Sequence, residues 1–144
     1  MSQDLQWLLL RKSNSFVVKG VPGGPTFSRE PGNLRNLHSF KYSGLANAKT
    51  IDVSDSGSGI VISTRKTKAS PHAVSKAYAK TNIRQRSGGR RALGVAASVV
   101  KKGYRPDLRA AALARVSALL AAQKEPKPSP PKKVRGKKAK AAEN

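Results

Sequence analysis

Between Asp55 and Asp107 the chain contains no acidic residue, yet Arg65, Lys66, Lys68, Lys76, Lys80, Arg84, Arg86, Arg90, Arg91, Lys101, Lys102 and Arg105 all fall in that interval. Like charges at that density repel one another across the surface of a small fold, and a polyanionic neighbour relieves the repulsion. The remainder of the chain does not balance them. Lys and Arg number 29 against 7 Asp and Glu, a formal net charge of +22 over 144 residues. Nucleic acid is the expected partner, with an anionic membrane surface a distant second.

This length leaves room for one modest domain and a tail. Apolar residues make up 38% and aromatics 5% of the chain, so the core is thin and support from a partner is expected. The absence of cysteine excludes disulfides and thiolate zinc sites. The opening "MSQDLQWLLLRK" does not read as a signal peptide, because Asp4 precedes a short apolar stretch with no small-residue cleavage site after it. No run approaches the roughly 18 apolar residues of a membrane helix, so a soluble chain is expected.

Residues 4–12 read as a short helix with Asp4 as its N-cap, with a strand as the alternative because "LQWLLL" carries neither period cleanly. "FVVK" at 16–19 and "TFS" at 26–28 read as strands flanking the turn "GVPGGP". Residues 29–48 look irregular, with scattered Leu, Phe and Tyr anchors. A hairpin is predicted over about 49–53 and 60–66, where β-branched residues flank "SDSGSG". Residues 70–83 are predicted helical, with Ser70 as N-cap and Pro71 at the first position. Residues 89–103 form a second predicted helix, with Leu93, Ala96, Val99 and Val100 on one face and Gly103 as its stop. A third follows Pro106, and the short connection predicts that the last two pack as an antiparallel pair. The expected organisation is thus one domain over 1–123, mainly β and loop to residue 68 and mainly helical over 69–123. A disordered basic tail is expected over 124–144, where "KEPKPSPPKKVRGKK" has too few apolar groups to order itself.

Catalysis is not expected. His38 and His72 lie far apart without acidic partners, and "GVPGGP" lacks the Gly-Lys-Ser/Thr ending of a phosphate loop. "DVSDSGSG" lacks the distal bidentate acid of a calcium loop and reads as a turn. No cofactor, metal or small-molecule substrate is implied. The basic segments "TRKTKAS" and "RQRSGGRRALG" instead interleave cations with small residues and glycine, which lets backbone and guanidinium groups approach phosphates. Contacts of this kind fix position without reading base sequence. The candidate RNA-binding set is the twelve cations above together with Lys41, Lys49 and Arg109. "PKKVRGKK" at 131–138 reads as a nuclear import signal and equally as a further phosphate-binding extension, two roles that are compatible. Phe40 and Tyr42 flank Lys41 and are expected to anchor the irregular segment, with base stacking as the alternative. Trp7 and Phe16 read as core residues.

At about 100° per residue, the last helix gathers Leu108, Ala112, Leu113, Val116, Leu119 and Leu120 on one face. The other side is Ala110, Ala111, Ala114, Ser117, Ala118, Ala121 and Ala122. Alanine favours the helix intrinsically, and its short side chain also permits close approach of another surface, so this side is a candidate docking face.

Three segments carry a family resemblance: "LQWLLLRKSNSFVVK", "FSREPGNLRNLHSFKYSGLANAKTIDV" and "KKGYRPDLRAAALARVSALLAAQK". In order and spacing they resemble the eukaryote-specific large-subunit ribosomal protein family numbered twenty-eight. The pattern falls on Trp7, Ser15, Phe16, Asn33, Ser39, Phe40, Tyr42, Gly44, Leu45 and Lys49, and again on Tyr104 through Arg109. "GVPGGPTF" is richer in glycine than the family pattern, and the helix after Arg109 holds alanine where relatives are bulkier or basic. The resemblance implies an α+β protein that binds large-subunit ribosomal RNA and neighbouring ribosomal proteins in the cytosolic ribosome, after nuclear assembly. The rival readings are a nucleolar assembly factor sharing the first part of the pattern and a linker-histone-like architectural DNA-binding protein.

Overall fold

Ile51 and Val53 alternate with polar residues, and Ile60 and Ile62 share one face of the β-branched run that follows, so pairing the two runs buries one apolar face. The computed structural model describes residues 2–18, 20, 22–70, 72–101, 103–124 and 128–130. Lys102 and most of the expected tail lie outside the described residues, as does the side chain of Lys101. The elements run α1 (Gln3–Leu10), β1 (Val17–Val18), β2 (Phe27–Ser28), β3 (Ile51–Asp55), β4 (Gly59–Arg65), β5 (Tyr78–Arg84), α2 (Gly89–Lys101), a 3₁₀ turn (Pro106–Leu108) and α3 (Arg109–Ala122). The fold is α+β, with an antiparallel β1–β2 ribbon and a three-stranded antiparallel sheet ordered β3–β4–β5.

The hairpin follows the predicted pattern. Ile51 pairs with Thr64, Val53 with Ile62 and Asp55 with Ile60. Its turn closes when the Asp55 carboxylate accepts the Gly57 N–H at 2.8 Å and Ser56 N–H donates to the Gly59 carbonyl at 2.9 Å. Gly59 is required by packing as well, since a Cβ there would lie 2.1 Å from the Ile83 carbonyl oxygen.

Residues 70–83 do not form the predicted helix. The N-terminal signal at Ser70 is used, but only for a turn. Its hydroxyl accepts the His72 N–H at 3.4 Å and its carbonyl accepts the Ala73 N–H at 3.1 Å. The chain then extends as β5 and completes the sheet, with Ile83 opposite Ile60 and Thr81 opposite Ile62. Helix propensity in "SKAYAK" is worth only tenths of a kcal/mol per residue. Burying Ile83 against Ile60 and supplying β4 with its second row of hydrogen bonds outweighs it. Lys66 N–H donates to the Ala77 carbonyl and Gln85 N–H to the Ser58 carbonyl. By the antiparallel alternation, Tyr78, Lys80, Asn82 and Arg84 therefore turn their backbone groups to the open edge.

The helices cover the opposite face of the sheet. Ala92, Ala96 and Val100 of α2 and Ala112, Val116 and Leu120 of α3 recur every four residues and are buried with Ile51, Val53, Ile60 and Ile62. The small alanines allow α2 and α3 to pack closely, and Leu93, Leu113 and Leu119 cover the flanks. The alanine side of α3 at Ala110, Ala114 and Ala118 is exposed.

The irregular segment 29–48 is held by polar groups. Buried Glu30 accepts hydrogen bonds from Asn33 Nδ2 at 3.0 Å and Ser43 Oγ at 3.1 Å. Asn47 Nδ2 reaches the carbonyls of Phe40 and Ser43 at 2.7 and 2.8 Å. Gly44 permits the crossing of two backbones here, since a Cβ would lie 1.9 Å from the Pro31 carbonyl oxygen. α1 starts one residue before the expected helix, and Ser2, not Asp4, is the capping position. It docks through half-buried Trp7, whose ring lies 5.0 Å from His38 and 6.0 Å from Phe40. Phe16, expected in the core, is 37% exposed, because a ribbon two residues long is too short to enclose it.

Candidate nucleic-acid interface

The acid-free interval becomes a surface where β5 runs into α2. Arg84 ends β5, Arg86 sits in the connecting turn and Arg91 occupies the first turn of α2. With Thr81, Asn82, Ser87 and Gly88 they line an open cleft of about 570 Å³ that contains no carboxylate. Three exposed guanidinium groups, neutral side-chain donors and the positive end of a helix dipole therefore face one space. Arg90 is exposed on the same helical turn but does not line the cleft. Because β5 is extended, Lys80 and Arg84 stand about 13 Å apart along one face, against about 6 Å in the predicted helix.

A second group gathers around residues 65–76. Arg65 ends β4 and is half-buried, whereas Lys66, Lys68 and Lys76 are exposed. Lys66 Nζ donates to the Lys76 carbonyl at 3.2 Å, which joins the two ends of this loop. Arg65 and Lys66 also border a cleft with Gln3, Gln6 and Asn47 beside α1.

The third group is organised by Tyr104 and Arg105. The Tyr104 hydroxyl accepts the Thr50 N–H at 3.0 Å and donates to the Arg65 carbonyl, with the Thr50 carbonyl at 3.2 Å. Burial raises its pKa, more strongly than those backbone hydrogen bonds and the positive charges of Arg105 and Arg65 lower it. The phenol therefore stays neutral and keeps its proton for the carbonyl. Arg105 donates through Nη1 to the Lys49 carbonyl at 3.1 Å and through Nη2 to the Lys41 carbonyl at 2.9 Å. Its Nε and Nη2 also grip both Asp107 oxygens, at 2.8 and 2.7 Å. That hydrogen-bonded arginine holds the Asp107 carboxyl below the usual carboxylate range. Arg105 is thus an internal clamp that brings the Lys41 and Lys49 backbones together. Those two lysines are exposed, with Nζ 5.7 Å from the Tyr42 ring centre and 5.8 Å from that of Tyr104 respectively. Arg109 is exposed at the start of α3.

Three features escaped sequence reasoning. Asn82 and Thr81 border the arginine cleft only because β5 is a strand, and the alternation of Ala79, Thr81 and Ile83 with polar residues was the available signal. Arg35 lies 5.7 Å from the Tyr42 ring centre, so that half-buried ring has two cations beside it. Arg115 turns inward and donates to the Val53 and Leu34 carbonyls at 3.3 and 3.4 Å. Phe40 and Tyr42 both serve as anchors, the first against Trp7 and the second against the core.

Residues 5–122 match the model of the Ribosomal L28e protein family. A Dictyostelium discoideum protein named large ribosomal subunit protein eL28 is 41% identical over 130 residues, which cover 86% of this chain and 93% of that protein. A Schizosaccharomyces pombe protein of the same name is 33% identical over 129 residues, covering 88% and 96%. The match takes in both sheets, α2, α3 and the Tyr104–Arg105 clamp on which the clustered cations stand, and the chain belongs to the Ribosomal L28e protein family.

Proposed function

We propose that the chain is a structural constituent of the large subunit of the cytosolic ribosome and holds ribosomal RNA there through phosphate contacts. The observation that supports the RNA contact is the carboxylate-free cleft in which Arg84, Arg86 and Arg91 converge. Guanidinium groups bind phosphate oxygens bidentately, and the edge N–H groups of Asn82 and Arg84 add neutral donors. Lys80 and Arg90 extend that positive surface, while Lys41, Lys49, Lys76 and the Arg65–Lys68 group offer a second contact region. Lys101, Lys102 and Arg109 belong to the same proposed set. Arg105 acts indirectly, by fixing the loops that present Lys41 and Lys49.

Among the described residues no helix is long and apolar enough to cross a membrane. Nuclear transit before assembly is part of the proposal, with 131–138 as the import segment. Neighbouring ribosomal proteins complete the set of partners. Sucrose-gradient fractionation tests the reading directly. The chain is expected in mature large subunits and polysomes, and to stay there through a moderate salt wash. Confinement to nucleolar precursor particles would make it an assembly factor, and recovery on chromatin would refute the ribosomal role.

A further inference from the structure

The outer face of the three-stranded sheet carries a further cleft, of about 580 Å³, whose chemistry is opposite to that of the arginine cleft. Val61 and Tyr78 contribute apolar surface from neighbouring strands, and Val74 projects beside them from the segment before β5. Val74 is 81% and Tyr78 37% exposed, so this surface faces water. Asp52 presents a carboxylate on the β3 side, in a chain of net charge +22, and Asp55 borders the trough with its side chain on the helix face. Asp55 is engaged by the Gly57 N–H and by Gln123 Nε2 at 2.7 Å. Asp52 has no hydrogen bond or ion pair among the described residues. Lys80, the cation lining this trough, stands on the far strand, two positions across the ladder through Ser63.

We infer that this trough docks an extended, cationic segment of a neighbouring protein, with a Lys or Arg beside Asp52 and an aliphatic side chain on Val61, Val74 and Tyr78. RNA fits poorly here. On the β3 side its phosphates would meet the Asp52 carboxylate, and the exposed valines offer them no donor. A peptide that alternates basic and aliphatic residues meets both demands, because its side chains point to opposite sides at a spacing that matches the sheet. The inference rests on the proposed place of the chain within a ribonucleoprotein particle, where such neighbours are at hand.

Two experiments on the full chain separate this inference from that reading. The first uses a fluorescein-labelled peptide of alternating Lys and Val, followed by anisotropy with the free chain. Asp52→Lys and Val74→Ser are each expected to weaken peptide binding about fivefold, roughly the effect of one exposed charge or one small apolar contact. Neither is expected to weaken binding of an RNA oligonucleotide. Unchanged peptide affinity in both variants would overturn the docking site. The second replaces Val74 with p-benzoylphenylalanine and irradiates gradient-purified large subunits. A crosslink to protein supports the inference, and a crosslink to ribosomal RNA or none at all overturns it. Failure of the chain to enter subunits counts against the proposed function instead, and the peptide experiment still decides the trough.

Discussion

Replacing Arg84, Arg86 and Arg91 together with alanine tests the proposed phosphate-binding role of the arginine cleft quantitatively. Each arginine that neutralises one phosphate contributes about 0.9 to the slope of log K against log salt on a duplex, and about 0.7 on a single strand. Three such contacts predict that the triple variant has a slope shallower by about 2.7 on duplex RNA and about 2.1 on single-stranded RNA. The affinity gap is then largest at low salt. It is expected to reach two to three orders of magnitude near ~0.1 M and to close on extrapolation toward ~1 M. Fluorescence anisotropy of the full chain with a structured large-subunit RNA fragment, titrated at a series of salt concentrations, gives both numbers. All three side chains are exposed, so thermal unfolding should change little. Arg105→Ala is the internal control. Its guanidinium is taken up by Asp107 and two backbone carbonyls, so stability should fall while the salt slope stays near that of the parent. A triple variant with the parental slope, or an Arg105 variant with a slope as shallow as the triple, would show that the RNA-facing cations are elsewhere.

Three further outcomes test the scaffold. Tyr104→Phe removes the hydroxyl that joins Thr50 to the Arg65 carbonyl and leaves a buried N–H unpaired; a loss of about 1–3 kcal/mol is expected in urea unfolding. Gly44→Ala forces a Cβ to within 1.9 Å of the Pro31 oxygen, and should cost about 3 kcal/mol or more by the same assay, with segment 29–48 losing amide protection first. The Asp107 carboxyl has a depressed pKa through its bond to Arg105, so its stabilisation is present above the unfolded-state value of about 3.9 and is lost as pH falls through the folded value. Asp107→Asn should therefore be less stable at neutral pH by under about 1 kcal/mol, given the exposure of the pair. The difference should vanish in acid, and a gap that persisted at low pH would assign the effect to packing.

The β3–β4 hairpin, α2 and α3 were legible in the sequence because their signals are local. Alternation at Ile51 and Val53, glycine at the turn and four-residue recurrence along α3 each specify an element without reference to distant residues. The strongly cationic character was legible for a similar reason, since net charge is a sum that needs no coordinates. β5 was not legible. Lys, Ala and Tyr satisfy a helix about as well as a strand, and only the unpaired edge of β4 decides between them. That decision reshaped the candidate site, because an extended β5 places Arg84 beside Arg86 and Arg91 and leaves Asn82 at the open edge. The role of Arg105 was hidden in the same way, since the carbonyls of Lys41 and Lys49 come to it only through the folding of the irregular segment. Sequence alone determined that this chain is a cation-rich α+β protein suited to a polyanion. Tertiary structure decided which cations keep an unengaged head group, because a guanidinium already hydrogen-bonded to backbone and carboxylate, as in Arg105, has few donors left for any other acceptor.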